Sequence, residues 1–242
     1  MPNVPKWIAD QMENLLPSKY LEAEVIKITN YSPEMKKVSF RADLQQIDFY
    51  PGTAMILRPS DTALRHYTPS VFDKKAGIFE ILFHIHGNGP GSNLADNLLP
   101  GDHLKLSAPA GKKLYDRKKN SHFFFGDETS LSFYAILQED IIGNDQSSHG
   151  IFELNAINQH IPKELGYDIN IVQKTPADPG KEAINLLEGF LNETPQLLKQ
   201  SIFYLTGNVA SVQRFRTTLK QHGISGGNIK LQGYWSEGIE GL

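Results

Sequence analysis

The sequence predicts a β + α/β protein: an antiparallel six-stranded β-barrel followed by an α/β domain. Three observations carry this. From residue 20 to about 106, short β-rich runs are separated by Pro, Gly and Asp. From Ser121 onward the rhythm changes, and apolar strand-like runs alternate with helix-like ones. Between the two lies a basic, polar run at 116–120, which places the domains at 1–118 and 119–242.

Residues 5–16 are expected to form a short helix. Pro5 stands near its start, Trp7, Ile8, Met12, Leu15 and Leu16 give a rough apolar face, and Pro17 ends it. Strands are expected around Ala23, Val25 and Ile28, then at 38–40 after a turn at Ser32-Pro33, and at 54–57, 78–83 and 103–106. Arg65-His66-Tyr67-Thr68 reads as a further extended segment. About six antiparallel strands in so short a stretch are best stabilised by closing into a barrel, which removes the exposed edges. One helical insert is expected at 92–99, before a turn at 100–102. In the second half, strands are expected at 122–125, 150–154, 167–172, 202–205 and 229–232, with helices at 129–139, 183–191 and 209–221.

The 242 residues are 40% hydrophobic and 21% charged, a composition that can bury a sizeable core. There is no cysteine, so disulfides, thiolate metal sites and cysteine nucleophiles are excluded. No stretch approaches the roughly 18 apolar residues of a membrane span. No signal-peptide core follows Met1-Pro2-Asn3-Val4-Pro5-Lys6. The expectation is a cytoplasmic protein without stable membrane insertion. It is expected to be a monomer, since no dimerisation stripe is evident. The net charge of -3 argues against nucleic acid as a partner. Residues 112–119 are a local exception, with five basic residues and one acidic one. They read either as a solvated interdomain segment or as a local attraction for an anionic ligand.

Two stretches carry chemistry. Arg65 offers a planar fork of donors suited to phosphate oxygens. Tyr67, two residues on, shares its face of an extended segment and can lie against a flat ring. Thr68 adds a hydroxyl and a backbone N–H. The alternative is a strand with a surface arginine and a packed tyrosine. The second stretch is His86-Gly87-Asn88-Gly89-Pro90-Gly91-Ser92-Asn93. Its glycines permit close backbone approach, and Ser92 or Asn93 can cap a helix carrying Leu94, Leu98 and Leu99. Free amides at such a start suit a pyrophosphate, although many glycine-rich loops are plain turns. This is not a GxGxxG dinucleotide fingerprint.

These motifs, in this order, resemble the siderophore-interacting protein family, flavin-dependent ferric-siderophore reductases within the ferredoxin–NADP reductase-like superfamily. Matching pieces are Tyr31-Ser32-Pro33-Glu34-Met35-Lys36-Lys37-Val38, Arg65-His66-Tyr67-Thr68-Pro69, and the stretch from His86 to Ser92. Gly101-Asp102 and Pro109-Ala110-Gly111 follow, then Gly126-Asp127-Glu128-Thr129-Ser130-Leu131 and Gly233-Tyr234-Trp235-Ser236-Glu237-Gly238.

The resemblance implies an FAD-binding β-barrel followed by an NAD(P)H-binding-like α/β domain. It implies that Arg65 binds the FAD pyrophosphate, that Tyr67 packs on the isoalloxazine, and that Thr68 meets the ring near its reactive nitrogen. Gly91, Ser92 and Asn93 hold phosphate. His86 either orients this turn or approaches the flavin or adenine. Asp127, Glu128 and Thr129 face the flavin and the nicotinamide, with Thr129 as a candidate helix cap, and Trp235 is counted among the cofactor-binding residues. The chain departs from the family at Ser70 and Ser236, where arginines are usual, at Thr206-Gly207-Asn208 in place of Ala-Gly-Glu, and at Leu94 in place of a tryptophan.

The expected activity is FAD-dependent reduction of a ferric siderophore or other ferric chelate, with NAD(P)H as donor. The flavin carries the chemistry, so no catalytic side chain and no resident metal are assigned. Lys112, Lys113, Lys118, Lys174 and Lys181 are assigned to attract the anionic ferric complex. The alternatives are a flavin reductase with another acceptor or a protein electron donor, and a flavin- or siderophore-binding module without turnover.

Overall fold

The structure, a computed structural model, describes residues 4–15, 19–87 and 89–239. Leu16, Pro17 and Asn88, with the side chains of Met12 and Leu15, lie outside the described residues. The chain divides into two compact units. One runs up to Lys113 and includes Ile239, and the other is Leu114–Gly238.

The first unit begins with α1 (Lys6–Leu15), followed by β1 (Tyr20–Ser32), β2 (Met35–Arg41), β3 (Met55–Leu57), β4 (Arg65–Tyr67), β5 (Val71–Asp73) and β6 (Ile78–His84). Then come α2 (Pro90–Asn97) and β7 (His103–Ser107). The strands form one antiparallel sheet in the order β4-β3-β7-β1-β2-β6-β5. Strands β4 and β5 are its two edges yet are joined only by residues 68–70. A flat seven-stranded sheet would hold its edges about 29 Å apart. Four residues reach at most about 14 Å. The sheet must therefore curl, and Ser70 N donates across to Glu80 O at 2.7 Å. The interior is filled by Val25, Val38, Phe40, Phe79, Ile81, Phe83 and Leu106, all buried. The strand count is seven where six were expected. The additional one is β5, three residues with Val71 and Asp73 exposed, too short for alternation to show. The insert α2 starts two residues earlier than expected, at Pro90, whose ring suits the first helical turn.

The second unit runs β8 (Ser121–Gly126), α3 (Leu131–Gly143), β9 (Ser147–Leu154), α4 (Ile161–Glu164) and β10 (Asn170–Gln173). It continues with α5 (Lys181–Glu193), α6 (Pro195–Gln200), β11 (Ile202–Asn208), α7 (Val209–Gln221) and β12 (Ile229–Trp235). All five strands are parallel, in the order β10-β9-β8-β11-β12. Parallel strands covered on both faces read as continuous apolar runs, as Phe123, Phe124 and Phe125 on β8 and all of β11 do. The strand order reverses between β8 and β11. In such sheets ligands bind beyond the carboxyl ends of the strands at that switch point.

At the opposite end of β8, His122 is fully buried and pins the preceding chain. Its Nε2 lies 2.9 Å from Lys119 O and 3.1 Å from Gln146 Oε1, and its Nδ1 lies 3.2 Å from Tyr204 Oη. Two acceptors at Nε2 place the proton there, so Nδ1 accepts from the tyrosine. Tyr204 Oη in turn accepts from Asp116 N at 3.2 Å. Part of the basic run is thus fastened to the sheet.

Candidate functional site

In the first unit, pairing with β3 sets Met55 opposite Tyr67 and Leu57 opposite Arg65. Arg65 and Tyr67 are half-buried, and His66 between them is exposed. The Tyr67 ring meets Phe83 edge-on, with centroids 4.7 Å apart. Burial pushes its phenol up to about 12, with Arg65 pulling weakly the other way, so the hydroxyl stays a neutral donor. Gly91 passes directly against this pair. A Cβ there would stand 2.3 Å from Tyr67 Oη and 3.2 Å from Arg65 Cγ, so only glycine fits.

The start of α2 differs from the expected serine or asparagine cap. Its N-cap is Gly89, and no side chain caps it. Pro90 brings no N–H. The Ser92 hydroxyl instead accepts from His86 N at 3.0 Å and Gly87 N at 3.2 Å, folding the glycine loop back on the helix. His86 is exposed and lies against Gly89, whose Cβ would meet His86 Cε1 at 3.0 Å. Asn93 is exposed, and its N–H donates to Gly89 O at 2.9 Å. Thr68 is half-buried just beyond β4. At the other end of α2, the buried Lys36 Nζ donates to Ala95 O at 3.0 Å and Asp96 O at 2.5 Å. A cation at a helix C-terminus complements the dipole and fixes the helix. Ser70 is buried, and its N–H and hydroxyl both donate to Glu80 O. Arg65 is thus the cation of this motif. A guanidinium, a neutral phenol and an uncapped helix start together suit phosphate oxygens.

In the second unit, the carboxyl ends of β8, β11 and β12 meet at Asp127, which is fully buried. Its carboxylate accepts from Thr129 N at 2.9 Å, Thr129 Oγ1 at 2.5 Å, Asn208 N at 3.0 Å and Trp235 Nε1 at 2.6 Å. Asp127, not Thr129, is therefore the cap of the turn Glu128–Ser130 that leads into α3. Gly207 has φ of 100°, and a Cβ there would lie 2.7 Å from Asp127 Cγ, so the position demands glycine twice over. Glu128, also fully buried, pairs with Lys174 and accepts from Asn155 N at 2.7 Å and Asn158 Nδ2 at 3.2 Å. Lys174 Nζ also lies 5.5 Å from the centroid of the Trp235 ring. Burial works against the lysine charge, but Asp127, Glu128 and Glu153 outweigh it and hold its pKa above the ordinary value. Glu153 is buried and accepts from Gly180 N at 2.8 Å. Burial, reinforced by Asp127, raises its pKa against the pull of Ser211, Gly180 and Lys174.

Residues 22–115 match the family of oxidoreductase FAD-binding domains. The dihydroorotate dehydrogenase B (NAD(+)) electron transfer subunit homolog of Aquifex aeolicus (strain VF5) is 26% identical over 128 residues, 50% of this chain and 49% of that protein. The match thus spans about half the length of this curated relative. Among solved structures, a siderophore utilization protein from T. fusca is similar with a TM-score of 0.74 and 25% identity, covering 93% of this chain and 95% of that one. The siderophore-interacting protein SipS from Aeromonas hydrophila gives a TM-score of 0.74 and 22% identity, covering 92% and 93%. The chain resembles the siderophore-interacting proteins. Its fold is that of the ferredoxin–NADP reductase-like proteins, with an FAD-binding domain first and a parallel α/β unit second.

The structure brings Arg65, Tyr67, His86, Gly91 and Ser92 together in the first unit, and Asp127, Thr129, Trp235 and Lys174 together in the second. The five lysines fare differently. Lys112, Lys118 and Lys181 are exposed. Lys113 lies over the Tyr50 ring, 5.0 Å from its centroid, and Lys174 is committed to Glu128. Sequence reasoning missed Lys36 and Glu153. For Glu153 the signal was present: a lone carboxylate inside the apolar run Ile151-Phe152-Glu153-Leu154 is expensive unless it is bound. Among the described residues no helix is long and apolar enough to cross a membrane.

Proposed function

We propose that this chain is an FAD-dependent reductase that passes electrons from NAD(P)H to a ferric siderophore or similar ferric chelate and releases ferrous iron. The observation that supports it most is the convergence of Arg65, Tyr67 and Gly91 on an uncapped helix start within the matched FAD-binding domain. When bound, FAD supplies the step from a two-electron donor to one-electron acceptors. Arg65 and the amides at the start of α2 hold its diphosphate. Tyr67 and Thr68 position its ring, and the neutral phenol of Tyr67 donates a hydrogen bond without adding charge. Ser92 keeps the loop closed, and Lys36 keeps α2 oriented. One NAD(P)H then reduces two ferric ions, releasing NAD(P)+, a proton and two ferrous ions. The exposed Lys112, Lys118 and Lys181 favour approach of anionic chelates through their field.

The curated relative favours a second reading, in which the electrons come from or go to a protein partner, because that relative is described as an electron transfer subunit homolog. Purification followed by anaerobic mixing separates the readings. The proposal expects a yellow protein whose 450 nm band bleaches with NAD(P)H and recovers on adding a ferric siderophore, with ferrous iron trapped by a chromogenic chelator. A flavoprotein that dithionite bleaches and NAD(P)H does not would shift the assignment to a protein donor.

A further inference from the structure

The strand that carries Arg65 and Tyr67 has little of its own to hold it in place. β4 is three residues long, lies at the edge of its sheet and pairs with β3 alone. Support on one side only leaves its placement to the loop that leads into it, residues 58–64. That loop is fixed from outside the sheet, by α1.

Arg58 joins the two. It follows β3 directly, and its side chain is only 15% exposed. Its Nε donates to Ser60 O at 3.3 Å and its Nη2 to Asp61 O at 2.8 Å, which folds the loop around the guanidinium. From α1, Asp10 meets Nη2 at 2.8 Å and Glu13 meets Nη1 at 3.4 Å. A planar fork of five N–H groups can serve four such acceptors, whereas an ammonium has only three. The chain just before α1 adds a backbone tie, with Val4 N donating to Thr62 O at 2.8 Å. Ala9 on α1 and Ala63 and Leu64 in the loop are buried. The Lys6–Asp61 pair is exposed on both sides and adds little. The loop ends on Leu64, whose carbonyl accepts from Arg65 Nη1 at 3.0 Å. The Arg65 fork thus rests on the last residue of the loop that α1 holds.

We propose that α1, acting through Arg58, positions Arg65, and Tyr67 with it, for the flavin, so that cofactor affinity depends on the helix that precedes the barrel. Without the guanidinium, Asp10 and Glu13 would face the carbonyls of Ser60 and Asp61 with no cation between them. Carboxylates left unpaired in this way drive the elements that carry them apart. Leu64 O then shifts, and the Arg65 fork shifts with it. Hydrogen bonds weaken steeply with distance and angle, so a diphosphate held by that fork feels a small displacement. Arg58 is a positioning residue, reaching the cofactor only through the strand. The inference rests on the reading that Arg65 and Tyr67 hold a flavin.

The test is a double-mutant cycle on FAD affinity, with FAD titrated into apoprotein of the wild type, Arg58→Met, Arg65→Ala and the double variant. Methionine keeps an unbranched side chain and removes every donor. Arg58→Met is expected to weaken FAD binding about tenfold. The fluorescence of its bound flavin should rise as the Tyr67 ring leaves the isoalloxazine. In the Arg65→Ala background the same substitution should change affinity by less than about threefold, because the group it acts through has gone. If Arg58→Met does not fold, Arg58→Lys, which keeps the charge and loses the fork, takes its place in the cycle with the same expectation. Wild-type FAD affinity and fluorescence in a folded Arg58 variant would overturn the inference. So would equal losses in both backgrounds, and in either case a weak-binding Arg65→Ala leaves the flavin reading standing. Wild-type affinity in Arg65→Ala would overturn the flavin reading and this inference with it.

Discussion

The helix start beside Arg65 and the turn that starts at Asp127 are built in opposite ways. In the antiparallel unit, α2 begins at a glycine with no side-chain cap and a proline with no N–H, beside Arg65 and Tyr67. In the parallel unit, Asp127 caps the turn into α3 through Thr129 N and also takes Asn208 N, and Asn208 Oδ1 caps α7 through Ser211 N, while α5 begins at Gly180 without a side-chain cap. An open start costs stability and offers a binding site, whereas a filled start rigidifies the strand ends and repels anions. The contrast shows where each unit places its polar groups: beside α2 a guanidinium and a phenol stand next to an uncapped start, and at Asp127 a carboxylate ties the ends of three strands together.

The largest effect is expected where the filled side of the contrast is broken. Asp127→Asn replaces an acceptor of four hydrogen bonds with a group that must turn an NH2 toward some of the same donors. A loss of about 2–4 kcal/mol is expected, since buried bonds to charge are strong and leave unpaired donors when broken. Chemical denaturation measures it. Trp7 and Trp235 are the two tryptophans, so a red shift in Trp7→Phe emission on adding Asp127→Asn reports release of Trp235. An unchanged spectrum would remove Asp127 as the anchor of that ring.

On the open side, Gly91→Ala drives a methyl into Tyr67 Oη and Arg65 Cγ. Overpacking of this kind costs about 1–3 kcal/mol. Both melting temperature and FAD retention should fall, and an alanine variant with wild-type FAD affinity would refute the close approach.

The smallest effect belongs to His122. Burial lowers its pKa, against the pull of Lys119 O, Gln146 and Asp116. The folded state therefore favours the neutral ring. That contribution is complete above the unfolded value of about 6.5 and is lost as pH falls through the lower folded value. The melting temperature should drop between roughly pH 7 and 5 more steeply in the wild type than in His122→Gln. Parallel curves would show that the Tyr204–His122–Lys119 contacts do not carry this dependence.

Much of the architecture was legible in the sequence because its cause is periodic. Phe123-Phe124-Phe125 and the run 202–205 announce buried parallel strands, and helix 209–221 follows from its spacing. Strand β5, helix α4 and helix α6 escaped notice, having three, four and six residues, too few for a period to repeat. At the site, Arg65, Tyr67 and Gly91 were readable as residue types with a shared chemistry. The cap of α2 was not, because the serine that looked like a cap is drawn instead to the amides of His86 and Gly87. The partners of Glu153 and Lys36 were hidden for a different reason: they lie 27 and about 60 positions away, and local pattern shows at most that a carboxylate in an apolar run must be bound, not by what.

The central claim is that the open helix start and Arg65 hold FAD, and titration of FAD into apoprotein tests it most directly. Loss of a charge-assisted contact worth about 1.5–3 kcal/mol predicts that Arg65→Ala weakens FAD binding about 10–100-fold. Its melting temperature in the absence of flavin should stay near that of the wild type. Equal FAD affinity in wild type and Arg65→Ala would contradict the account.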